Sequence, residues 1–154
     1  MTDHDATALV VDAAQLVAEC DPGAALRLVG ATDIHHRDLQ HAALRVLAHV
    51  MGGDGAPERF AELRAQVHEL ALQHGPDDRQ VVLNLEVIAT SEALAEGDVD
   101  HANEIVSGSM FSPIDFVWCA VCITGQVVRG WVGEDNLTEF WTGQRRHWGI
   151  GGAA

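Results

Sequence analysis

The sequence predicts an all-α fold, a single domain of about eight helices packed as antiparallel helical hairpins. Three observations lead there. The four prolines each follow a turn-forming or small residue and open an apolar-periodic segment, at Asp21-Pro22, Ala56-Pro57, Gly75-Pro76 and Ser112-Pro113. Proline suits the first helical turn because its missing N–H has no partner there anyway. Glycines fall at or near the ends of such segments, at positions 30, 52, 75, 97, 108 and 133, where a left-handed residue stops a helix. Finally, the one stretch that alternates like a strand (Val81, Leu83, Leu85, Val87) has no strand partner elsewhere in the chain.

Taken in order, these signals place helices at 5–20, 22–29, 33–51, 57–74, 76–96, 98–108, 113–131 and 134–146. The second and seventh start behind Asp21 and Ser112, whose side-chain oxygens suit an N-cap. The third collects Leu39, Ala43, Val46, Leu47 and Val50 on one face and Asp38, His41, Arg45 and His49 on the other. The fourth groups Phe60, Leu63, Val67 and Leu70. Both read as half-buried amphipathic helices. The fifth is apolar over a wider arc and reads as central; it runs on through Ser91 to Glu96 without Gly or Pro. Paired acids at Asp77-Asp78 and Glu134-Asp135 sit at helix starts, where the dipole favours them without any catalytic role. Short linkers make four antiparallel hairpins, whose first helices begin near 5, 33, 76 and 113. That spacing is irregular, so no clean tandem array is expected. The domain covers 1–146, and 147–154 form a Gly-rich C-terminal tail.

Residues 89–113 contain Leu94-Ala95-Glu96-Gly97-Asp98, then Ala102, Val106 and Pro113. This segment resembles the turn and second helix of a tetratricopeptide repeat, with Gly97 as turn glycine and Ala102 as the small crossing residue. The resemblance covers about one repeat. Glu86, Ala89-Thr90 and Ala93 stand where the family places Trp, Leu-Gly and Tyr. It implies helical-hairpin architecture and a role in binding peptides or partner proteins.

Composition narrows the function. The 154 residues are 47% hydrophobic and 21% charged, with 23 acids, nine bases and a net charge of -14, so a packed core is expected and disorder is not. Such a surface repels phosphate, so direct nucleic-acid binding and an anionic-membrane footprint are not expected. All nine bases are Arg, a usage that fits a high-GC bacterial or phage genome. Without Lys there is no P-loop, Schiff-base or Ser-Lys chemistry. The start lacks the basic and apolar regions of a signal peptide, and no apolar run reaches the roughly 18 residues a membrane span needs. Three cysteines without a secretion signal point to reduced thiols in a cytoplasm.

Two clusters invite chemistry. Trp118-Cys119-Ala120-Val121-Cys122 is similar to a thioredoxin-like active site, but Pro113 opens its helix, so the cysteines fall beyond the first turn among apolar neighbours. The nine histidines offer no metal-ligand spacing, so no metal or other cofactor is expected. His41 and His49, with Arg45 between them, read as a solvated face. Charging all nine near pH 6.5 would move the formal charge from -14 to -5.

The C-terminal end is the most distinctive. Residues 1–128 hold 20 of the 23 acids and six of the nine arginines; residues 129–154 hold three of each, with three of the four tryptophans. Trp and Arg dominate interface hot spots, so Trp141, Arg145, Arg146, His147 and Trp148 form the candidate partner-binding segment. The competing reading makes Phe140 and Trp141 core caps and pairs both arginines with body acids. The expected function is a small non-enzymatic adaptor, regulator or assembly component. The alternatives are a thiol redox enzyme or sensor using Cys119 and Cys122, and an acidic decoy of a nucleic-acid-binding protein.

Overall fold

Side-chain caps fix where the helices begin. In the computed structural model, which describes residues 2–150, a carboxylate oxygen of Asp21 accepts the Ala24 N–H, Asp78 accepts those of Gln80 and Val81, and Asp98 accepts that of His101. His35 Nδ1 accepts the Arg37 N–H, and the Asp115 carboxylate reaches back to both the N–H and the hydroxyl of Ser112. Each bond satisfies a group that no helical partner reaches. The helices are α1 (Thr2–Ala18), α2 (Pro22–Ala31), α3 (His36–Met51), α4 (Ala56–His74), α5 (Arg79–Ala95), α6 (Val99–Gly108), α7 (Pro113–Val132) and α8 (Leu137–His147), with a 3-10 turn at Glu134–Asn136. No strand occurs among the described residues, and one hydrophobic core joins the elements, so the chain is a single all-α domain.

Several boundaries move from the sequence reading: α1 spans 2–18 instead of 5–20, and α8 starts at 137, behind the 3-10 turn, instead of at 134. Residues 33–35 are outside α3 because His35 caps it, and 76–78 are outside α5 because Asp78 caps it, which leaves Pro76 in the turn. The proposed tail boundary at 147 also shifts. His147 ends α8, and the chain then closes a Schellman turn: Gly149 N–H bonds to the Arg146 carbonyl and Ile150 N–H to that of Arg145. Ile150 packs on the core, and the remainder of the expected tail, 151–154, lies outside the described residues.

The packing also differs from four sequential hairpins. α1–α2 and α5–α6 do pack along their lengths, but α3–α4 and α7–α8 barely touch. α4 lies on α5 instead, and α8 lies on α1. The centre is α3 against α7, the most extensive contact in the molecule. α3 is therefore more than half-buried: Leu39, Gln40, Ala42, Ala43, Leu44, Val46, Leu47, Ala48 and Met51 are all covered. Beyond its first turn, only the line of His41, Arg45, His49 and Val50 keeps some exposure. α5, read as central from its wide apolar arc, packs on α3, α4, α6 and α7 beside that central pair.

This arrangement is an internal duplication with an offset of 77 residues, half the chain. α1 (2–18) recurs as α5 (79–95), α2 (22–31) as α6 (99–108), and α3 begins at 36 as α7 begins at 113. The first helix of each half ends in a Schellman turn followed by the aspartate that caps the second. Cys20 and Gly97 are the left-handed residues, at φ 65° and 81°, and Asp21 and Asp98 are the caps. Buried positions match as well: Val10 with Val87, Val11 with Ile88, Ala25 with Ala102, Leu39 with Phe116, Ala43 with Ala120, Phe60 with Leu137. The contacts are reciprocal. α1 packs on α7 as α5 packs on α3, and α8 packs on α1 as α4 packs on α5. The two four-helix units thus meet through α3 and α7, each laying its third helix on the first helix of the other. The irregular hairpin starts concealed the duplication, because the repeating unit is four helices rather than two.

Candidate functional site

The two halves part company at one place. In the second half, Gly125 of α7 faces α1 so closely that a Cβ there would lie 2.6 Å from Val17 Cβ and 2.7 Å from the Ala14 carbonyl oxygen. Arg129 then donates to the Ala18 carbonyl at 2.7 Å and closes the end of the crossing. In the first half, Ala48 stands for Gly125 and Gly52 for Arg129, so no long side chain closes the crossing of α3 and α5 there. A groove of about 600 Å³ opens instead. One wall is His41, Arg45 and His49 at successive turns of α3; the other is Leu94 and Ala95 of α5 with Val99 of α6; Trp148 lies at its edge. Their counterparts 77 residues away are Trp118, Cys122, Gln126, Val17, Ala18 and Pro22.

The C-terminal turn is built into this wall. His147 stacks flat on His49, with centroids 3.8 Å apart and planes 8° apart, and Trp148 meets both rings edge-on. Arg45 lies over the Trp148 ring at 5.2 Å. His4 Nε2 of α1 donates to the Gly149 carbonyl at 2.9 Å, so the N-terminal helix holds the turn in place. Partial burial lowers the pKa of His49, and the neighbouring His147 lowers it further, so this site favours the neutral His49 ring.

The five residues expected to bind a partner separate. Trp141 is fully buried, so it is a core residue and unavailable to a partner. Arg145 pairs with Asp12 of α1 at 2.6 Å and fastens α8. His147 and Trp148 belong to the groove cluster, and Arg146 is exposed. The structure therefore brings Trp148 together with residues read only as a solvated face, His41, Arg45 and His49. One signal for them was available: Arg45 has His41 and His49 at four residues before and after, alanines at three, and no acid at either spacing, within a chain of 23 acids.

What Arg45 lacks sets it apart. Two other arginines also lie over aromatic rings, Arg59 over Trp131 at 5.5 Å and Arg79 over Phe111 at 4.7 Å. Arg59 spends its donors on the Met51 and Gly52 carbonyls at the end of α3, and Arg79 pairs with Asp115. Arg45 has no carboxylate or carbonyl partner among the described residues.

Nucleophilic chemistry finds little support. Cys119 is buried and donates to Asn84 Oδ1 at 3.0 Å. Burial, with Cys122 adding to it, pushes the Cys119 thiol up to about 12, and burial pushes Cys122 up to about 11. Both are thiols at neutral pH, whereas exchange needs the thiolate. Among the described residues no group of three or more His, Cys, Asp or Glu side chains could hold a metal ion, and no single helix is long and apolar enough to cross a membrane. Comparison with family models, curated proteins and solved structures finds no match to the chain. The α5–α6 hairpin, turned at Gly97 with Ala102 buried, has its counterpart 77 residues earlier in α1–α2, turned at Cys20 with Ala25 buried.

Proposed function

We propose that the chain is a non-enzymatic interaction module of a reducing cytoplasm that docks a partner protein in the groove between α3 and the α5–α6 hairpin. The observation that carries this reading is the break in internal symmetry. Two equivalent crossings exist, one is closed, and the open one collects Arg45, Trp148 and an apolar wall. Trp and Arg at a partly formed apolar recess are the chemistry of an interface hot spot. The raised thiols disfavour the redox alternative. Acids paired with Arg64, Arg79, Arg129 and Arg145 break up the phosphate-like array that a decoy needs.

The test is site-specific crosslinking in the native cell. A photo-reactive residue replacing Val99, 54% exposed at the groove, should capture one discrete protein; the same residue replacing Leu72, 85% exposed and outside the groove, should not. Equal labelling from both positions would place the binding surface elsewhere.

A further inference from the structure

We infer that the groove recognises an acidic–aliphatic segment of a partner protein, with a carboxylate on Arg45 and a neighbouring apolar side chain against Leu94 and Val99. This rests on the docking role proposed above and names the partner's chemistry.

The charge distribution carries the argument. The chain has 23 acids and a net charge of -14, yet among the described residues no Asp or Glu lines the groove or the adjoining recess of His4, Thr7, Arg45 and Trp148. The titratable groups around Arg45 are instead His41 and His49 from α3, His4 from α1 and His147 from the end of α8. In a body this acidic, none of the described lining residues supplies the Arg45 guanidinium with a carboxylate. Its Cζ lies over the Trp148 ring at 5.2 Å, and its N–H groups meet no carboxylate among the described residues. A planar cation held on a ring with unused donors is prepared for a carboxylate.

The other end of the site sets the second requirement. His41, Leu94 and Val99 also line a narrower cleft of about 100 Å³ that continues between α3 and α6 past Leu44, Ala102 and Val106. It is apolar along most of its length, so an aliphatic side chain gains by leaving water there. The groove is open: His41 and His49 are exposed and Val99 keeps more than half its surface. A small free ligand needs most of its surface covered, whereas a chain lying across an open groove does not. A protein segment therefore fits better than a free fatty acid.

The test uses the full-length protein and fluorescence polarisation with labelled peptides of alternating Asp and Leu, Asn and Leu, and Lys and Leu. The Asp–Leu peptide should bind about tenfold or more tighter than the Asn–Leu peptide, the ratio expected of one charge-assisted hydrogen-bonding pair, and the Lys–Leu peptide should bind weakest. Arg45→Gln should abolish the Asp-over-Asn preference. Val99→Glu, an exposed change that leaves the core untouched, should abolish binding of the Asp–Leu peptide even if Arg45→Gln disturbs the Trp148 cluster. Equal binding of the Asp and Asn peptides, tighter binding of the Lys peptide, or indifference to both substitutions overturns the inference. Binding of octanoate without binding of the Asp–Leu peptide overturns it in favour of a free lipid acid. If Val99 captures a partner in the cell while no peptide preference appears, the partner chemistry fails and the docking role stands; if Val99 captures nothing, the docking role fails as well.

Discussion

The two halves of this molecule have the same helix order, the same hairpin turns and matching buried positions, yet they close differently. Where α7 crosses α1, Gly125 removes the spacer between helices and Arg129 seals the edge. Where α3 crosses α5, Ala48 and Gly52 occupy those positions and a groove remains. One crossing is sealed, and the other leaves open the groove proposed above as a docking site. Duplication makes this division affordable, since the shared α3–α7 core holds both crossings whether or not each is closed. The same contrast separates the Arg–aromatic pairs. Arg59 and Arg79 are occupied by groups of the fold, and Arg45 is not.

Substitutions at equivalent positions sharpen the comparison. The largest effect is expected at 141 against 64. Trp141 is fully buried, so Trp141→Ala should cost about 3–5 kcal/mol in chemical denaturation. Arg64, its counterpart, is a partly exposed ion-pair partner of Glu92, and Arg64→Ala should cost about 1 kcal/mol or less. Comparable losses at the two sites would deny that the halves have diverged there. Next is the crossing itself. Gly125→Ala forces a methyl group against the Ala14 carbonyl and Val17 and should cost about 1–3 kcal/mol. The reciprocal Ala48→Gly should lose only helix propensity, about 1 kcal/mol.

Acidity should affect the first half more than the second. The folded pKa of His49 lies below its ordinary value of 6.5 because of burial and His147. The unfolded chain therefore binds more protons than the folded one as pH falls through 6.5, and stability drops in that direction. His49→Gln, which installs the residue found at the equivalent Gln126, should flatten this part of the melting profile between pH 7.5 and 5.5. A profile unchanged by the substitution would remove His49 as its source. The smallest effect concerns the thiols. At pH 8 the native protein should release one equivalent rapidly to a thiol reagent, from exposed Cys20, while Cys119 and Cys122 react slowly. Three fast thiols would reopen the redox reading.

Much of the fold was legible because its determinants are local. Asp21, Asp98 and Ser112 mark helix starts, and Gly97 and Gly133 mark stops, through bonds a few residues away. Pro76 misled because a cap three residues from Gly75 outcompeted it. The groove was not legible, because it depends on α3 meeting a hairpin some fifty residues further on. Trp141 and Trp148 show the limit most plainly. They lie seven residues apart near one helix end, and neither composition nor periodicity separates them. Tertiary contacts do, placing the first in the core and the second, turned by Gly149, beside Arg45. Arg145 was readable in part as a partner for a body acid, and Asp12 is that acid.

The proposed recognition uses one crossing and not its twin. Amide chemical-shift mapping with the Asp–Leu peptide tests it most directly. Changes should concentrate at His41, Arg45, His49, Leu94, Val99 and Trp148 and be absent at the counterparts Trp118, Cys122, Gln126, Val17 and the residues around Pro22. Shifts of equal size at both crossings, or confined to the second, would contradict the account.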